Sequence, residues 1–166
     1  GNTGVGIGAL DALTSGDYST VVGYNAGTAI TSGGYHTFIG GLAGESMVSA
    51  FSNVAVGYQA GQKATANNNT SIGVSSNNFP TGGNNTAVGN QSLKGVNGGS
   101  AAANSTALGY QAGLAVTSGV YNTFLGTGAG KNITSGDANV IIGNVEAGSA
   151  TGDRQLLITG NDGSTS

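Results

Sequence analysis

The chain has 166 residues, 33 of them glycine, with 7% charged residues and a formal net charge of −3. An ordinary domain carries about 7% glycine and about a quarter charged residues. Hydrophobic residues still reach 37%, which excludes a charge-swollen disordered chain. The single proline, Pro80, and the lack of a three-residue glycine period exclude collagen. Four Lys/Arg leave no electrostatic footprint for nucleic acid, no apolar run approaches the length of a membrane span, and the absence of cysteine excludes disulfides and thiolate metal sites.

One word, Asn-Thr-x-apolar-Gly, organises the chain. Its closing glycines are Gly6, Gly23, Gly40, Gly57, Gly73, Gly89, Gly109, Gly126 and Gly143, spaced by 17, 17, 17, 16, 16, 20, 17 and 17 residues. A further step of 17 reaches Gly160. A fixed short period of this kind is the signature of a solenoid. Nine or ten coils therefore fill the sequence: residues 1–150 read as the repeat region, and 151–166 as a last partial coil leading toward a further C-terminal module. The chain opens on Gly1 with no methionine and no leader pattern, and reads as a piece of a longer protein.

Within each coil the first element is a short strand. Val5, Val22, Ile39, Val56, Ile72, Val88, Leu108, Leu125 and Ile142 precede the glycine, and Thr3, Thr20, Thr37, Val54, Thr70, Thr86, Thr106, Thr123 and Val140 stand two places earlier. Such residues favour strands, and alternation puts the two columns on one face. That face is expected to point into the coil. The column between them, which carries Phe38, Phe124 and Ile141, is then expected to point outward. An apolar outer face calls for a partner, and three parallel rolls about an axis would bury it. Three residues past the glycine lies a small-residue column, Ala9 to Ala129, and seven past it an apolar one running from Leu13 through Pro80 and Val96 to Ile133. "TSG" turns at residues 14–16, 31–33, 117–119 and 134–136 follow, with glycine expected to supply positive φ. The fold class is all-β: a parallel β-roll or β-solenoid with a period of about 17 residues, packed as a homotrimer.

Asparagine opens most words, at Asn2, Asn53, Asn69, Asn85, Asn122 and Asn139, with Ser19, His36 and Ser105 in the same column. Stacked amides can bond from coil to coil, and asparagine tolerates left-handed backbone. Stacked strands lie ~4.8 Å apart, so ten coils make a rod roughly 50 Å long.

The words "NTAVG", "GYQAG", "NTFLGTGAG" and "NVIIG", separated by TSG turns, resemble the repeat region of tail fibres and other receptor-binding fibres of tailed bacteriophages. They are also similar to the head repeats of trimeric autotransporter adhesins, whose shorter repeat has a related Asn-Ser/Thr-x-apolar-Gly word. The resemblance extends from Asn2 to about Gly143. It implies a trimeric parallel β-roll and a role in attachment at a cell surface. The 17-residue period and the tail "DRQLLITGNDGSTS" favour the phage fibre. That reading implies an extracellular place on the virion tail, with adjacent fibre or baseplate proteins and a host-surface glycan or protein as partners. The alternative is a bacterial adhesin head that binds host matrix or cells.

Several residues invite a chemical role, and each has a structural explanation. "GTGAGK" at 126–131 suggests a phosphate cradle, but it lacks the P-loop spacing, a following Ser/Thr and a helix. His36, the only histidine, sits in the asparagine column and reads as a ladder replacement. Asp17 and Asp137 end SGD turns, where a calcium ion is the chemical alternative to a capped turn. The threonine column suggests an ice-ordering face, but strand parity is expected to point it inward. Tyr18, Tyr35 and Tyr121, with Tyr24, Tyr58 and Tyr110, suggest sugar stacking, against surface cover or filling between protomers. The irregular stretch Lys94–Asn104 reads as a surface loop. A polysaccharide-cutting enzyme would need a pair of acids in a groove, and the seven scattered acids supply no obvious pair. The chain reads as a structural, non-enzymatic segment with no catalytic residue, cofactor or metal ligand.

Overall fold

The computed structural model describes residues 1–79, 81–96 and 101–160. It contains ten strands of three residues: β1 (Thr3–Val5), β2 (Thr20–Val22), β3 (Thr37–Ile39), β4 (Val54–Val56), β5 (Thr70–Ile72), β6 (Thr86–Val88), β7 (Thr106–Leu108), β8 (Thr123–Leu125), β9 (Val140–Ile142) and β10 (Leu156–Ile158). They pair in sequence order into one parallel sheet. The register keeps like on like, as in Thr20 beside Thr37 and Val22 beside Ile39. No helix occurs among the described residues. The all-β solenoid follows the repeat read from the sequence.

The strands are short because the backbone turns at both ends. Two places before each strand stands a residue in left-handed conformation, such as Tyr18 (φ 58°), Asn84 (φ 61°) or Tyr121 (φ 59°). The asparagines themselves are not left-handed; their predecessors are. After each strand from β1 to β9 comes the closing glycine, from Gly143 at φ 109° to Gly23 at φ 146°. Side chains other than glycine rarely adopt that geometry, and a Cβ on Gly126 would lie 2.8 Å from the carbonyl oxygen of Gly143. The TSG glycines answer a different need from the one expected: they do not have positive φ. A Cβ on Gly16 would collide with the carbonyl of Gly33 one coil on, and one on Gly136 with that of Gly152.

The parity of the strands is the reverse of the expectation. The middle residue of each strand points into the coil: Val21, Phe38, Ala55, Ala87, Ala107, Phe124 and Ile141 are fully buried. The flanking Thr and Val/Ile/Leu columns lie on the outside. The sheet is therefore buried on one face, not both. The small column and most of the apolar column line the interior as expected, with Ala26, Ala43, Ala60, Ala112 and Ala129 buried alongside Ile30, Met47, Val116 and Ile133. Val96 is exposed. It adjoins the 94–104 stretch, of which residues 97–100 lie outside the described residues, as does Pro80.

A narrow interior forces neighbouring columns to share volume. The fourth residue after the closing glycine faces the strand's middle residue, and in most coils the two trade size; where both are small, as at Ala55 with Gly61 and Ala107 with Gly113, side chains of adjacent coils (Met47, and Leu93 with Phe124) fill the space. Leu10 packs on Gly4, where a Cβ would meet its side chain at 3.5 Å. Glycines flank the two phenylalanines: Phe38 lies against Gly27 and Gly44, and Phe124 against Gly113 and Gly130. Ala87 is paired with Leu93, which is buried. Close packing requires this trade, because an interior one side chain deep has no second layer to absorb an error.

The last coil departs from the expected step. β10 pairs Ile158 with Ile142, so Thr159, not Gly160, takes the closing position opposite Gly143, after a step of 16. Residues 161–166, the end of the expected exit segment, lie outside the described residues.

The volume trade makes glycines in one column unequal. A Cβ on Gly130 would lie 2.5 Å from the Phe124 ring, which Gly113 confines on its other side. A Cβ on Gly61 would find its nearest atoms at 3.4 Å. Gly61→Ala is expected to lower stability by about 1 kcal/mol, the penalty of left-handed backbone alone. Gly130→Ala is expected to lower it by about 2–4 kcal/mol, because overpacking adds to that penalty. Urea unfolding of the two variants measures the difference, and equal losses would refute the volume trade.

Candidate functional site

A polar ladder fixes the sheet's orientation from inside. Each residue of the asparagine column accepts a hydrogen bond from the backbone N–H of its counterpart one coil later. Asn2 Oδ1 accepts from Ser19 N–H (2.9 Å), Ser19 Oγ from His36 (3.2 Å), and His36 Nδ1 from Asn53 (3.3 Å). Asn53 Oδ1 accepts from Asn69 (2.8 Å), Asn69 from Asn85 (3.0 Å), and Asn85 from Ser105 (3.1 Å). Ser105 Oγ accepts from Asn122 (3.1 Å), Asn122 from Asn139 (2.9 Å), and Asn139 from Gln155 (2.8 Å). The run is unbroken, and Ser and His enter it because Oγ and Nδ1 are acceptors too. The amide nitrogens donate to turn carbonyls, as Asn122 Nδ2 does to Gly136 at 2.9 Å. Buried polar groups must be paired in this way.

His36 therefore has a defined protonation state. Its Nε2 lies 2.9 Å from the Ala50 carbonyl oxygen, which can only accept, so Nε2 carries the proton and Nδ1 stays bare for Asn53. Burial lowers its pKa below the ordinary 6.5, against opposing contributions from its hydrogen bonds to Ala50 and Asn53. The ring stacks on Phe38 at 4.7 Å. It is a rung of the ladder.

With the asparagines turned inward, the residues on either side of each buried strand centre form the outer face. The Thr column and the Val/Ile/Leu column run side by side along the rod. Val5 (56% exposed), Ile39 (44%), Leu108 (46%) and Ile158 (55%) sample its length. Tyr24, Tyr58 and Tyr110 flank the face on the glycine side and are exposed. The face spans ~45 Å along the stack and ~10 Å across each three-residue strand. The parity argument against an ice-ordering Thr column is thus overturned, because the threonines point outward. Beside them stands a continuous file of aliphatic side chains.

The tyrosines divide into two groups. Tyr18 and Tyr35 stack on each other at 5.3 Å and 15°, so each turns one ring face to its neighbour and leaves the rest of the side chain exposed. The same left-handed column continues as an exposed amide ladder, with Asn68 Nδ2 donating to Asn84 Oδ1 (3.1 Å) and Asn84 Nδ2 to Asn104 Oδ1 (3.0 Å).

The remaining candidates are absorbed by the stack. In 126–131, Gly126 N–H donates to Leu108, Gly128 to Tyr110 and Gly130 to Val145, so these amides already have partners, and Lys131 pairs with Glu146 at 2.9 Å. Asp137 Oδ1 accepts from Val120 N–H (2.8 Å), and Asp153 Oδ1 from Asp137 N–H (2.8 Å). Asp17 Oδ1 meets the terminal amine of Gly1 (3.0 Å). Among the described residues, no three His, Asp or Glu side chains gather as a metal site. A shallow depression of about 480 Å³ near the last coil is lined by Gly126, Thr127, Gly143, Asn144, Thr159 and Gly160, none of them titratable. Comparison with family models, curated proteins and solved structures finds no match for this chain.

The ladder gives His36 a pH signature. A folded-state pKa below 6.5 means the unfolded chain binds the proton first. The stability that neutral His36 contributes is complete above about pH 6.5 and falls away as pH drops toward the folded-state value. His36→Asn restores the commonest rung. Between pH 7.5 and 5 it is expected to lose less stability than the unmodified chain, read from thermal melts at each pH; parallel losses would contradict the assignment of Nδ1 as an acceptor.

Proposed function

We propose that this chain is a structural segment of a trimeric fibre, of the kind tailed bacteriophages use to reach and attach to host cells. The observation that carries the reading is the outer sheet face, exposed or half-buried in every coil, aliphatic along one file and mostly threonine along the next, at constant register. A face that repeats itself coil after coil is suited to a partner that repeats with the same step, and a second parallel copy of the chain is such a partner. The number three rests on the resemblance of the Asn-Thr-x-apolar-Gly word to fibre repeats. The contact surface lies on the Thr and Val/Ile/Leu columns, not on the Phe38–Phe124 column, which the coil interior consumes.

In this role the segment works by geometry. A rod roughly 50 Å long holds binding tips away from the particle, and three parallel copies present three tips at once, which raises avidity without new contacts. The low charge limits unspecific attraction to anionic surfaces.

Light scattering on the purified chain is expected to give three times the mass of one chain, and a stable, folded monomer would overturn the reading. Leu108→Glu, at an exposed position of β7, is expected to shift that mass to a single chain while the circular dichroism of the sheet is retained. A charge buried unpaired at an interface weakens binding by several kcal/mol.

A further inference from the structure

The interior of the rod is not continuous. Its apolar side chains form two separate clusters, one from Val21 to Ala64 and the other from Ala87 to Ala147. Between them the fifth and sixth coils place Ser71, Ser76, Asn77, Asn78 and Ser92 inside, all essentially unexposed. The size rule still holds in outline, with Ser71 opposite Asn77 where the next coil has Ala87 opposite Leu93, but the filling has become polar.

Several of these groups find no partner in the chain. Ser76 Oγ donates to the Ala87 carbonyl at 2.9 Å, and the backbone N–H of Asn77 donates to the Ser92 carbonyl at 2.9 Å. By contrast, both amide atoms of Asn77, Oδ1 of Asn78 and Oγ of Ser92 are buried with no hydrogen bond. Burying an unpaired amide is expensive, and interiors that hold such groups satisfy them with ordered water. The packing is less tight here: a Cβ on Gly61 would stand at ordinary contact distance, 3.4 Å, from Ser71 Oγ, whereas at Gly113 or Gly130 it would strike a phenylalanine ring.

We propose that the fifth and sixth coils enclose an internal hydration site, with Asn77 and Ser92 as its principal ligands, and that this site is the seam at which the rod first opens. The ligand is water because the groups are neutral. Asn77 offers a carbonyl acceptor and an NH2 with two donors, Asn78 an acceptor, and Ser92 a hydroxyl that does either, groups that tetrahedral water can satisfy. Among the described residues no group of three His, Asp or Glu side chains gathers to hold a cation. On either side the coils are held by dry contacts to Phe38 and Phe124, so local opening is easiest between them.

A crystal structure of the chain at a resolution that places internal water is expected to show ordered water within hydrogen-bond distance of the Asn77 amide and Ser92 Oγ. A dry interior, or an Asn77 amide paired with protein groups, would overturn the site. Native-state hydrogen exchange tests the seam. Amides of β5 and β6 are expected to exchange at least tenfold faster than those of β3 and β8, and equal protection along the rod would refute it. The double variant Ser71→Ala, Asn77→Leu copies the Ala87–Leu93 pair and is expected to slow exchange in β5 and β6 to the rate of β8; an unchanged rate would count against hydration as the cause. The exchange profile of the unmodified chain needs no variant to fold.

Discussion

Each coil must supply hydrogen-bond partners to the coils before and after it all the way round its perimeter, not only in the three residues that form a strand. Gly23 reaches Val5, Asn25 reaches Ile7, Gly27 reaches Ala43 and Thr31 reaches Val48. A backbone stacked on itself at one strand spacing admits only side chains that tolerate a copy of themselves, or a near copy, directly above and below. That demand explains the glycine content. Where two carbonyl-bearing turns lie in register, a Cβ has no room, and the column becomes glycine whether or not its φ is unusual.

The same demand explains the asparagine column and its exceptions. A buried position repeated ten times can be polar only if the polar group bonds along the stack, and an acceptor that meets the next coil's N–H satisfies that at every step. Ser19, His36 and Ser105 replace asparagine without breaking the run because the geometry asks for an acceptor and not for an amide. The interior beside it follows another rule: volume is shared between facing columns and adjacent coils, so Phe38 and Phe124 are met by glycines and Ala87 by Leu93.

The repeat length, the strand positions and the all-β solenoid were legible in the sequence, because glycine and asparagine recur in fixed columns. Strand parity was not read correctly. Both sets of columns are apolar, and alternation alone does not say which faces in. The informative signal was variance. The middle column ranges from Gly4 to Phe124, as expected of an interior that trades size with its neighbours, while Thr20, Thr37 and Thr70 or Val22, Val56 and Val88 barely change, as expected of a surface meeting one repeating environment. The orphaned amide of Asn77 was out of reach, since nothing in the word "SSNNF" tells that both asparagines lie inside.

The asparagine ladder also has a direction. In each step it is the earlier coil that offers the acceptor and the later coil that offers the N–H, from Asn2 to Gln155. A chain made from its amino end thus lays down each acceptor before the donor that will use it. The finished coil is a template for the one still emerging, and the rod can lengthen one turn at a time on a surface already prepared.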